Sequence, residues 1–285
     1  MISFTDFNQN KLENGLYVVS TPIGNLLDIS LRAIEVLNKS DCILCEDTRV
    51  SKKLLEKYKI RNKLISNHKF NEKKNLNTII NLLKSGKIVS LITDAGTPCI
   101  SDPGSILVNE VINEKIKIFS IPGACSATAA FSVSGFEGKY FFYGSFPEKK
   151  KEIESELKLL SKLNVSIIFF ISSKKFQKKK LFIKKYFNNR DLVICREITK
   201  LYEEHIRIEV SNIDNLEINF KGEITLVISP ITTKNINFLD DDDKKKIKKL
   251  IKKSSIKDII NTISKNKKIS KKEIYDFCLK LKNET

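Results

Sequence analysis

The sequence predicts an α/β protein with two sheet-containing domains and a small helical appendage at the C-terminus. Three observations lead to this prediction: a length of 285 residues, an apolar content of 41%, and short β-rich runs that alternate with helix-like segments from residue 15 onward. A chain of this size and apolar content can fill two hydrophobic cores. We expect an N-terminal extension, an N-terminal α/β domain, a C-terminal α/β domain and a basic helical tail at residues 1–14, 15–121, 122–232 and 233–285.

The first domain contains four apolar runs that predict strands of a largely parallel sheet. These runs are LYVVS (16–20), CILC (42–45), IVSLIT (88–93) and IKIFSI (116–121). Between them, Asp28 can cap a helix that carries Ile29 and Ala33 on its apolar face. Residues 72–84 have the periodicity of a second amphipathic helix.

The second domain has more β-rich runs and fewer helices. The runs are YFFYGSF, SIIFFIS, LVICREI, HIRIEVS and EITLVIS, and lysine-rich helices are predicted at about 149–162 and 175–188. Because the later strands follow one another without long helices, we expect them to pair in the antiparallel direction.

The tail begins where the composition changes after Pro230 to DDDDKKKIKKLIKKSS. Two short helical segments follow, and Ser270 with Glu273 makes a capping box that predicts the start of the last helix. Two interpretations remain open for this tail: a solvated helical segment, or a small basic appendage that contacts RNA.

The net charge of +17 suggests a nucleic-acid partner, since Lys and Arg neutralise phosphates. However, 45 of the 51 basic residues are Lys, and Ile and Asn are also abundant, as expected from an AT-rich coding bias. Such a bias favours Lys codons over Arg codons. The arginines that the chain keeps are therefore better functional candidates than any single lysine. They stand at positions 32, 49, 61, 190, 196 and 207.

No membrane segment, disulfide framework or metal site is expected. No run of about 18 apolar residues occurs and the N-terminus has no signal-peptide pattern, so we expect a soluble cytoplasmic protein. Cys42 and Cys45 have a metal-site spacing, but in a strand residues i and i+3 face opposite sides. With two histidines in the chain, a His-rich zinc site cannot be built either.

Three loops break the regular pattern immediately after a predicted strand: TPIGN (21–25), TDAGTPCISDPG (93–104) and IPGACSATAA (121–130). Ligands bind at the carboxyl ends of strands in open α/β sheets, because loops converge there. In the second loop Gly96 allows close backbone approach, and Asp94 and Asp102 can accept hydrogen bonds from a ligand. In the third loop Ser126 opens a helix whose first amides are free to donate.

Several common ligand motifs are missing. Neither GxGxxG nor GxxxxGK[ST] occurs, which argues against the usual dinucleotide and nucleoside-triphosphate sites. HExxH and GxSxG are also absent. A cofactor held largely by backbone groups, such as S-adenosylmethionine, suits these loops best.

A family resemblance rests on segments that span about residues 15–230. The segments are LYVVSTPIGNLLDISLRAIEVL, CEDTR, SLITDAGTPCISDPG, IPGACSATAAFSVSGF, REITK and KGEITLVI. Together they strongly resemble the bacterial small-subunit ribosomal RNA methyltransferase I family, ribose methylases within the tetrapyrrole methylase superfamily. The resemblance implies the two-domain class III methyltransferase fold, with S-adenosylmethionine bound between the domains, and a homodimer. It also implies a substrate: the 2′-hydroxyl of a cytidine in the decoding centre of 16S RNA, free or in the small ribosomal subunit.

Site residues follow from this resemblance and from the loops. Cofactor-binding residues are expected at Pro22, Ile23, Gly24, Asp94, Gly96, Thr97, Ser126, Ala127 and Thr128. The hypothesis for catalysis is that Glu46 or Asp47 orients the substrate hydroxyl, while Arg49 and Lys200 bind phosphate or stabilise the developing alkoxide. Arg196 and Glu197 are expected to bind substrate. An ion-pair network between the domains is the alternative for these charged groups.

One segment departs from the family pattern. FFISSKKF (169–176) lacks the Glu, Pro, His and Arg that members commonly carry there, and Lys174 and Lys175 keep only the charge. Two other functions also remain open: carbon methylation of a tetrapyrrole on the same fold, and a non-catalytic RNA-binding assembly factor.

Overall fold

The computed structural model describes residues 12–217, 222–231, 239, 241–251, 254–266 and 271–283. The chain forms two compact units, Met1–Pro230 and Ile231–Thr285. Both sheets belong to the first unit, so a domain boundary near residue 121 stays a prediction. The proposed Ser270–Glu273 capping box lies outside the residues whose side chains are described.

The first sheet has five parallel strands. They are β1 (Gly15–Val19), β2 (Cys42–Cys45), β3 (Lys63–Ser66), β4 (Ile88–Leu91) and β5 (Ile118–Ile121), in the spatial order β3-β2-β4-β1-β5. Four of them were predicted. β3 was missed because its four residues are an exposed-to-intermediate edge strand without a strong apolar run.

Helices cover both faces of this sheet: α1 (Leu31–Lys39), α2 (Thr48–Lys57), α3 (Glu72–Lys84) and α4 (Ser105–Asn113). α1 and α2 pack on one face, where Cys45 is buried, and α3 and α4 on the other, where Cys42 is buried. The two cysteines therefore face opposite sides, as predicted. The predicted cap is wrong: Ser30, not Asp28, caps α1, because its Oγ accepts from Ala33 N at 3.1 Å.

The second sheet is mixed. Its strands are β6 (Tyr140–Ser145), β7 (Ser166–Ser172), β8 (Asp191–Arg196), β9 (Glu204–Glu209) and β10 (Glu223–Ile228), in the order β6-β7-β10-β8-β9. β6 pairs with β7 in parallel, and the other pairs are antiparallel, which confirms the expectation for the later strands. α6 (Lys150–Leu160) and α7 (Ser173–Phe187) cover one face, and α5 (Ser126–Ser132) packs on the other.

Arg190 is a structural residue, contrary to the expectation that every arginine is a functional candidate. Its side chain is 3% exposed, and its guanidinium donates to four backbone carbonyls. The acceptors are Ser161, Leu163, Val165 and Ser229, at 2.7–3.3 Å. Arg190 therefore ties the end of α6 to the second sheet.

The second unit contains three helices, α8 (Asp241–Leu250), α9 (Ile256–Asn266) and α10 (Lys271–Asn283). They enclose a small apolar cluster that includes Ile247, Ile259 and Ile274. None of the helices in the described part of the chain combines the length and hydropathy that a membrane crossing requires.

Candidate active site

The three motif loops meet at the carboxyl ends of three adjacent strands, β4, β1 and β5. Thr21 and Gly96 exchange two backbone hydrogen bonds, of 2.8 and 3.1 Å. Thr97 Oγ1 donates to the carbonyl of Ala124 at 3.1 Å. The convergence predicted from the sequence is therefore confirmed.

A cavity of about 340 Å³ lies between these loops and the second sheet. Among the residues predicted as site residues, those that line it are Ile23, Asp94, Ser126, Glu197 and Lys200. Asp102, named above as a possible hydrogen-bond acceptor for a ligand, also lines it, as does Ser101 from the same loop. The prediction missed four lining residues with hydroxyl or carboxyl side chains: Thr93, Ser145, Glu223 and Thr225. Thr93 could have been found from its place at the start of the TDAGTPCISDPG loop, whereas Ser145, Glu223 and Thr225 reach the cavity only through the tertiary fold.

Pro22, Gly96 and Thr97 support the loops from behind the cavity. Pro22 is buried, and Gly96 has a φ of +90°, a conformation that suits glycine. A Cβ added at Gly96 would lie 3.3 Å from Cγ2 of Ile23. If these three residues contact a cofactor, as predicted, they do so with backbone atoms or indirectly, by positioning Ile23, which lines the cavity.

Gly24 packs against residues 198–200, which follow the second-sheet strand β8. A Cβ at this position would lie 2.5 Å from Cγ of Lys200 and 2.8 Å from Oγ1 of Thr199. The next amide, of Asn25, donates to Thr199 Oγ1 at 3.0 Å. The glycine of TPIGN thus permits close contact with the REITK segment (196–200).

Ala127 and Thr128 do not line the cavity. Ala127 is buried against the second sheet beside Val193 and Val227, and Thr128 is exposed on α5. A cofactor role for either would have to use the backbone.

The CEDTR segment forms the corner between β2 and α2. Asp47 caps α2 by accepting from Arg49 N at 2.8 Å, and its carboxylate also pairs with the exposed Arg49 guanidinium at 2.6 Å. These bonds lower the pKa of Asp47 to about 2. A local structural role is thereby favoured for Asp47 and Arg49, which differs from the ion-pair network between the domains given above as the alternative. Burial and the nearby charge of Asp94 raise the pKa of Glu46.

The REITK segment carries local backbone strain. Glu197 and Thr199 both have left-handed φ values, +48° and +66°. Glu197 Oε1 accepts from Lys200 Nζ at 3.1 Å, and Arg196 pairs with Glu204 at 3.2 Å. Glu197 and Lys200 therefore reach the cavity as an ion pair, while Arg196 is held on β8.

The cavity is acidic although the protein is basic. Its ionisable carboxylates are Asp94, Asp102, Glu197 and Glu223, and its single amine is Lys200, already paired with Glu197. Thr93 is 3% exposed, and its hydroxyl has no well-formed hydrogen bond. A ligand with a positive charge and a hydrogen-bonding group is therefore favoured.

The segment 169–176 joins β7 to α7. Ser172 caps α7 by accepting from Lys175 N at 3.4 Å, and Lys175 forms an ion pair with Glu148. The charge that this segment retains is thus partly neutralised. Within the described residues, no group of three or more His, Cys, Asp or Glu side chains is arranged to hold a metal ion.

A parallel sheet covered by helices on both faces and a mixed sheet thus face an acidic cavity from opposite sides. The chain belongs to the tetrapyrrole (corrin/porphyrin) methylase family, whose model matches residues 15–214. It is a methyltransferase by this membership.

Three of its relatives carry the name "Ribosomal RNA small subunit methyltransferase I". The protein of Mesomycoplasma conjunctivae is 46% identical over 221 residues, which cover 77% of this chain and 92% of that protein. The Thermotoga maritima protein is 43% identical, with 75% and 97% covered. The Bacillus subtilis protein is 34% identical over 273 residues, with 92% of each covered.

Solved structures show the same fold at low identity. A cobalt-precorrin-4 methyltransferase of cobalamin biosynthesis has a TM-score of 0.56 and 20% identity, over 75% of this chain and 94% of its own. A uroporphyrin-III C-methyltransferase of Thermus thermophilus, complexed with S-adenosylhomocysteine, has a TM-score of 0.55 and 11% identity, over 76% and 98%.

Proposed function

We propose that this chain transfers a methyl group from S-adenosylmethionine to the 2′-hydroxyl of a cytidine in the decoding centre of 16S ribosomal RNA. The observation that carries the proposal is its identity of 34–46% to relatives named for methylation of small-subunit ribosomal RNA. The acidic cavity at the junction of the two sheets supplies a matching site. The homodimer that the resemblance implies and the cytoplasmic location expected from the sequence are part of the same proposal.

The cavity fits S-adenosylmethionine in charge. Its carboxylates suit the ammonium and sulfonium groups of that molecule, and the Thr93 hydroxyl lines the same cavity beside Asp102. When bound, S-adenosylmethionine supplies an electrophilic methyl group on a cationic sulfur. The residues that would hold it are Ile23, Asp94, Gly96, Thr97 and Ser126.

The chain's own contribution is mainly positioning and charge. Methylation of an oxygen is accelerated when the hydroxyl is held close and aligned, and the walls formed by Phe170 and Thr225 restrict its position. Lys200 stands at the cavity with its ammonium oriented by Glu197, where it can bind an RNA phosphate.

Exposed apolar side chains in the segments that follow β1, β3 and REITK favour RNA over a tetrapyrrole. In the described part of the chain, the four most exposed large apolar side chains are Leu27, Phe70, Leu201 and Tyr202. Leu27 and Phe70 follow β1 and β3, and the other two follow the REITK segment, which contacts Gly24. Aromatic rings among exposed lysines are suited to stacking on unpaired bases. We call these four residues the apolar rim.

The test is to incubate the purified protein and S-adenosylmethionine with small subunits from cells that lack this gene. We expect one new 2′-O-methylcytidine in the decoding centre, located by mass spectrometry of RNA fragments. Uroporphyrinogen is offered in a parallel reaction. Methylation of the porphyrinogen with unchanged RNA would overturn the proposal, and failure to bind S-adenosylmethionine in calorimetry would favour a non-catalytic assembly factor.

A further inference from the structure

Asp102 occupies a central place in the cavity that the proposed function does not yet use. It lines the cavity together with Thr93 and Ser101 from the first sheet and with Ser145 and Glu223 from the second. The two sheets approach closely here, since a Cβ added at Gly144 would lie 3.1 Å from Oγ of Ser101. A substrate group that enters between the sheets therefore meets the Asp102 carboxyl group.

The loop that carries Asp102 is rigid and strained. Cys99 and Ser101 have left-handed φ values of +67° and +68°, and Pro103 follows Asp102 directly. Gly104 has a φ of +128°, and a Cβ there would lie 2.8 Å from both Cys99 Sγ and Leu91 Cδ2. Strain of this kind persists where the surrounding structure holds a side chain in a fixed position for function.

The other carboxylates that line the cavity are less suited to receive a proton. Asp94 Oδ1 already accepts from the backbone amide of Asp47 at 3.0 Å. Glu197 is paired with Lys200, and Glu223 is exposed at the start of β10. Asp102 is partly buried, and residues of both sheets line the cavity beside it.

On the basis of the proposed function, we infer that Asp102 is the general base that accepts the proton of the ribose 2′-hydroxyl. As the oxygen forms its bond to the methyl carbon, the bond from that carbon to sulfur breaks, and its electron pair stays on sulfur. The hydroxyl proton moves to the Asp102 carboxylate. The products are the methyl ether, a neutral thioether and a protonated Asp102, which then releases its proton to water.

The electrostatic surroundings support this role. Burial raises the pKa of Asp102 to about 6, and the charges of Glu46, Asp94 and Glu223 act in the same direction. The Thr93 hydroxyl acts in the opposite direction, and the Glu197–Lys200 pair lines the same cavity. A carboxylate with a pKa near 6 is a stronger base than an ordinary aspartate and is still mostly ionised at pH 7.

The experiment measures kcat/KM for small subunits between pH 5 and 9 with the wild type, Asp102→Asn and Asp102→Glu. For the wild type we expect a rise with pH that levels off above about 6. Asp102→Asn should lower kcat/KM about 100-fold or more and remove this inflection, while S-adenosylmethionine binding stays measurable in calorimetry because Asp94, Glu197 and Glu223 remain in the cavity. Asp102→Glu should recover part of the activity with a displaced inflection.

A second readout does not depend on activity. In the cofactor-free protein, carbon NMR of aspartate carboxyl groups should show one resonance that titrates near pH 6 and is lost in Asp102→Asn. Asp214→Asn, on an exposed residue remote from the cavity, is the matched control and should change neither readout.

The outcomes separate the two proposals. A wild type that does not methylate RNA contradicts the proposed function itself. A wild type that is active, with an Asp102→Asn variant that keeps its rate and its inflection, overturns the role of Asp102. If Asp102→Asn does not fold, the test uses Asp102→Glu. A pH inflection of kcat/KM in Asp102→Glu that equals that of the wild type would also overturn the role of Asp102 as general base.

Discussion

Asp102 has a cost for stability as well as a proposed role in catalysis. Its pKa of about 6 lies above the ordinary aspartate value of 3.8, because burial and neighbouring carboxylates disfavour the charged form. Between these two pH values the folded protein binds more protons than the unfolded chain. The free energy of unfolding therefore falls as the pH rises through this window.

Asp102→Asn is accordingly expected to stabilise the protein at pH 8, by about 1–3 kcal/mol, because the ionised carboxylate is removed from a buried acidic site. The gain should disappear at pH 4, where the wild-type carboxyl is protonated in the folded state. Urea unfolding at both pH values measures it. A variant less stable than the wild type at pH 8 would mean that the carboxylate is stabilised by its neighbours.

Gly24 is the second residue whose effect can be predicted from local geometry. In Gly24→Ala the new methyl group would contact Lys200 and Thr199 closer than real Cβ atoms do, and it would push the TPIGN and REITK loops apart. Displacing a site by about 1 Å can lower turnover about 100-fold, so we expect a loss of at least about tenfold in kcat/KM. Gly138→Ala is the control, because a Cβ there meets nothing within 4 Å. That variant should lose only stability, since its φ is +88°.

At the scale of secondary-structure elements, the helices that cover the first sheet are capped in two ways. Ser30 caps α1 and Asp47 caps α2 from their own sequences. α4 has Gly104 at its N-cap, which offers no side chain. The buried Glu72 of α3 takes over this role, because its Oε1 accepts from Leu107 N at 3.0 Å.

Glu72→Ala should therefore destabilise the protein by about 1–2 kcal/mol, the usual effect of losing a helix cap. Glu72→Gln keeps an oxygen acceptor and should recover most of that loss. Both changes are measured by urea unfolding at pH 7. Glu56→Ala removes an exposed ion pair with Lys52 and should be nearly neutral. Equal effects of Glu72→Ala and Glu56→Ala would exclude a capping role.

At the scale of the whole molecule, the unit from Ile231 to Thr285 is separate from the unit that holds the candidate site. The match to the Thermotoga maritima relative covers 75% of this chain and 97% of that protein. That relative is therefore shorter than this chain. The unit carries 16 lysines against eight acidic residues. An accessory contribution to RNA affinity fits these facts.

A variant that ends at Pro230 is expected to bind S-adenosylmethionine within about twofold of the full chain, because the cavity residues all precede that position. Its affinity for small-subunit RNA should fall, and the dependence of that affinity on salt should become weaker as phosphate contacts are lost. Calorimetry and filter binding at several salt concentrations test this. Unchanged RNA affinity would favour a solvated tail instead.

The apolar rim gives a prediction that concerns RNA alone. Phe70→Ala and Tyr202→Ala should each weaken RNA binding by about 1–3 kcal/mol, the usual loss for a base-stacking ring, and leave S-adenosylmethionine affinity unchanged. The measurement is KM for small subunits beside calorimetry with the cofactor. Leu181→Ala, another exposed apolar residue on α7, is the control. A rim that serves another purpose would show equal KM values in all three variants.

The sequence by itself determined the class of fold, the three motif loops and the kind of ligand they hold. Apolar periodicity and Gly, Pro and Asp placement are local properties, and they suffice to place nine of the ten strands and the loops that end them. They also indicated that Cys42 and Cys45 would face opposite sides. The edge strand β3 was not predicted, because its four residues are not fully buried and their sequence has no strong apolar run.

Only the tertiary structure decided what each charged side chain does. The structure shows that Asp47 and Arg49, which the sequence offers as catalytic candidates, form a helix-capping ion pair, and that Arg190 is buried with its guanidinium bound to backbone carbonyls. Asp102 became the leading candidate for a base because residues distant in sequence, Glu46 and Glu223, surround it. Burial and the electrostatic field at a carboxylate are set by neighbours that meet only on folding, and no local pattern records them.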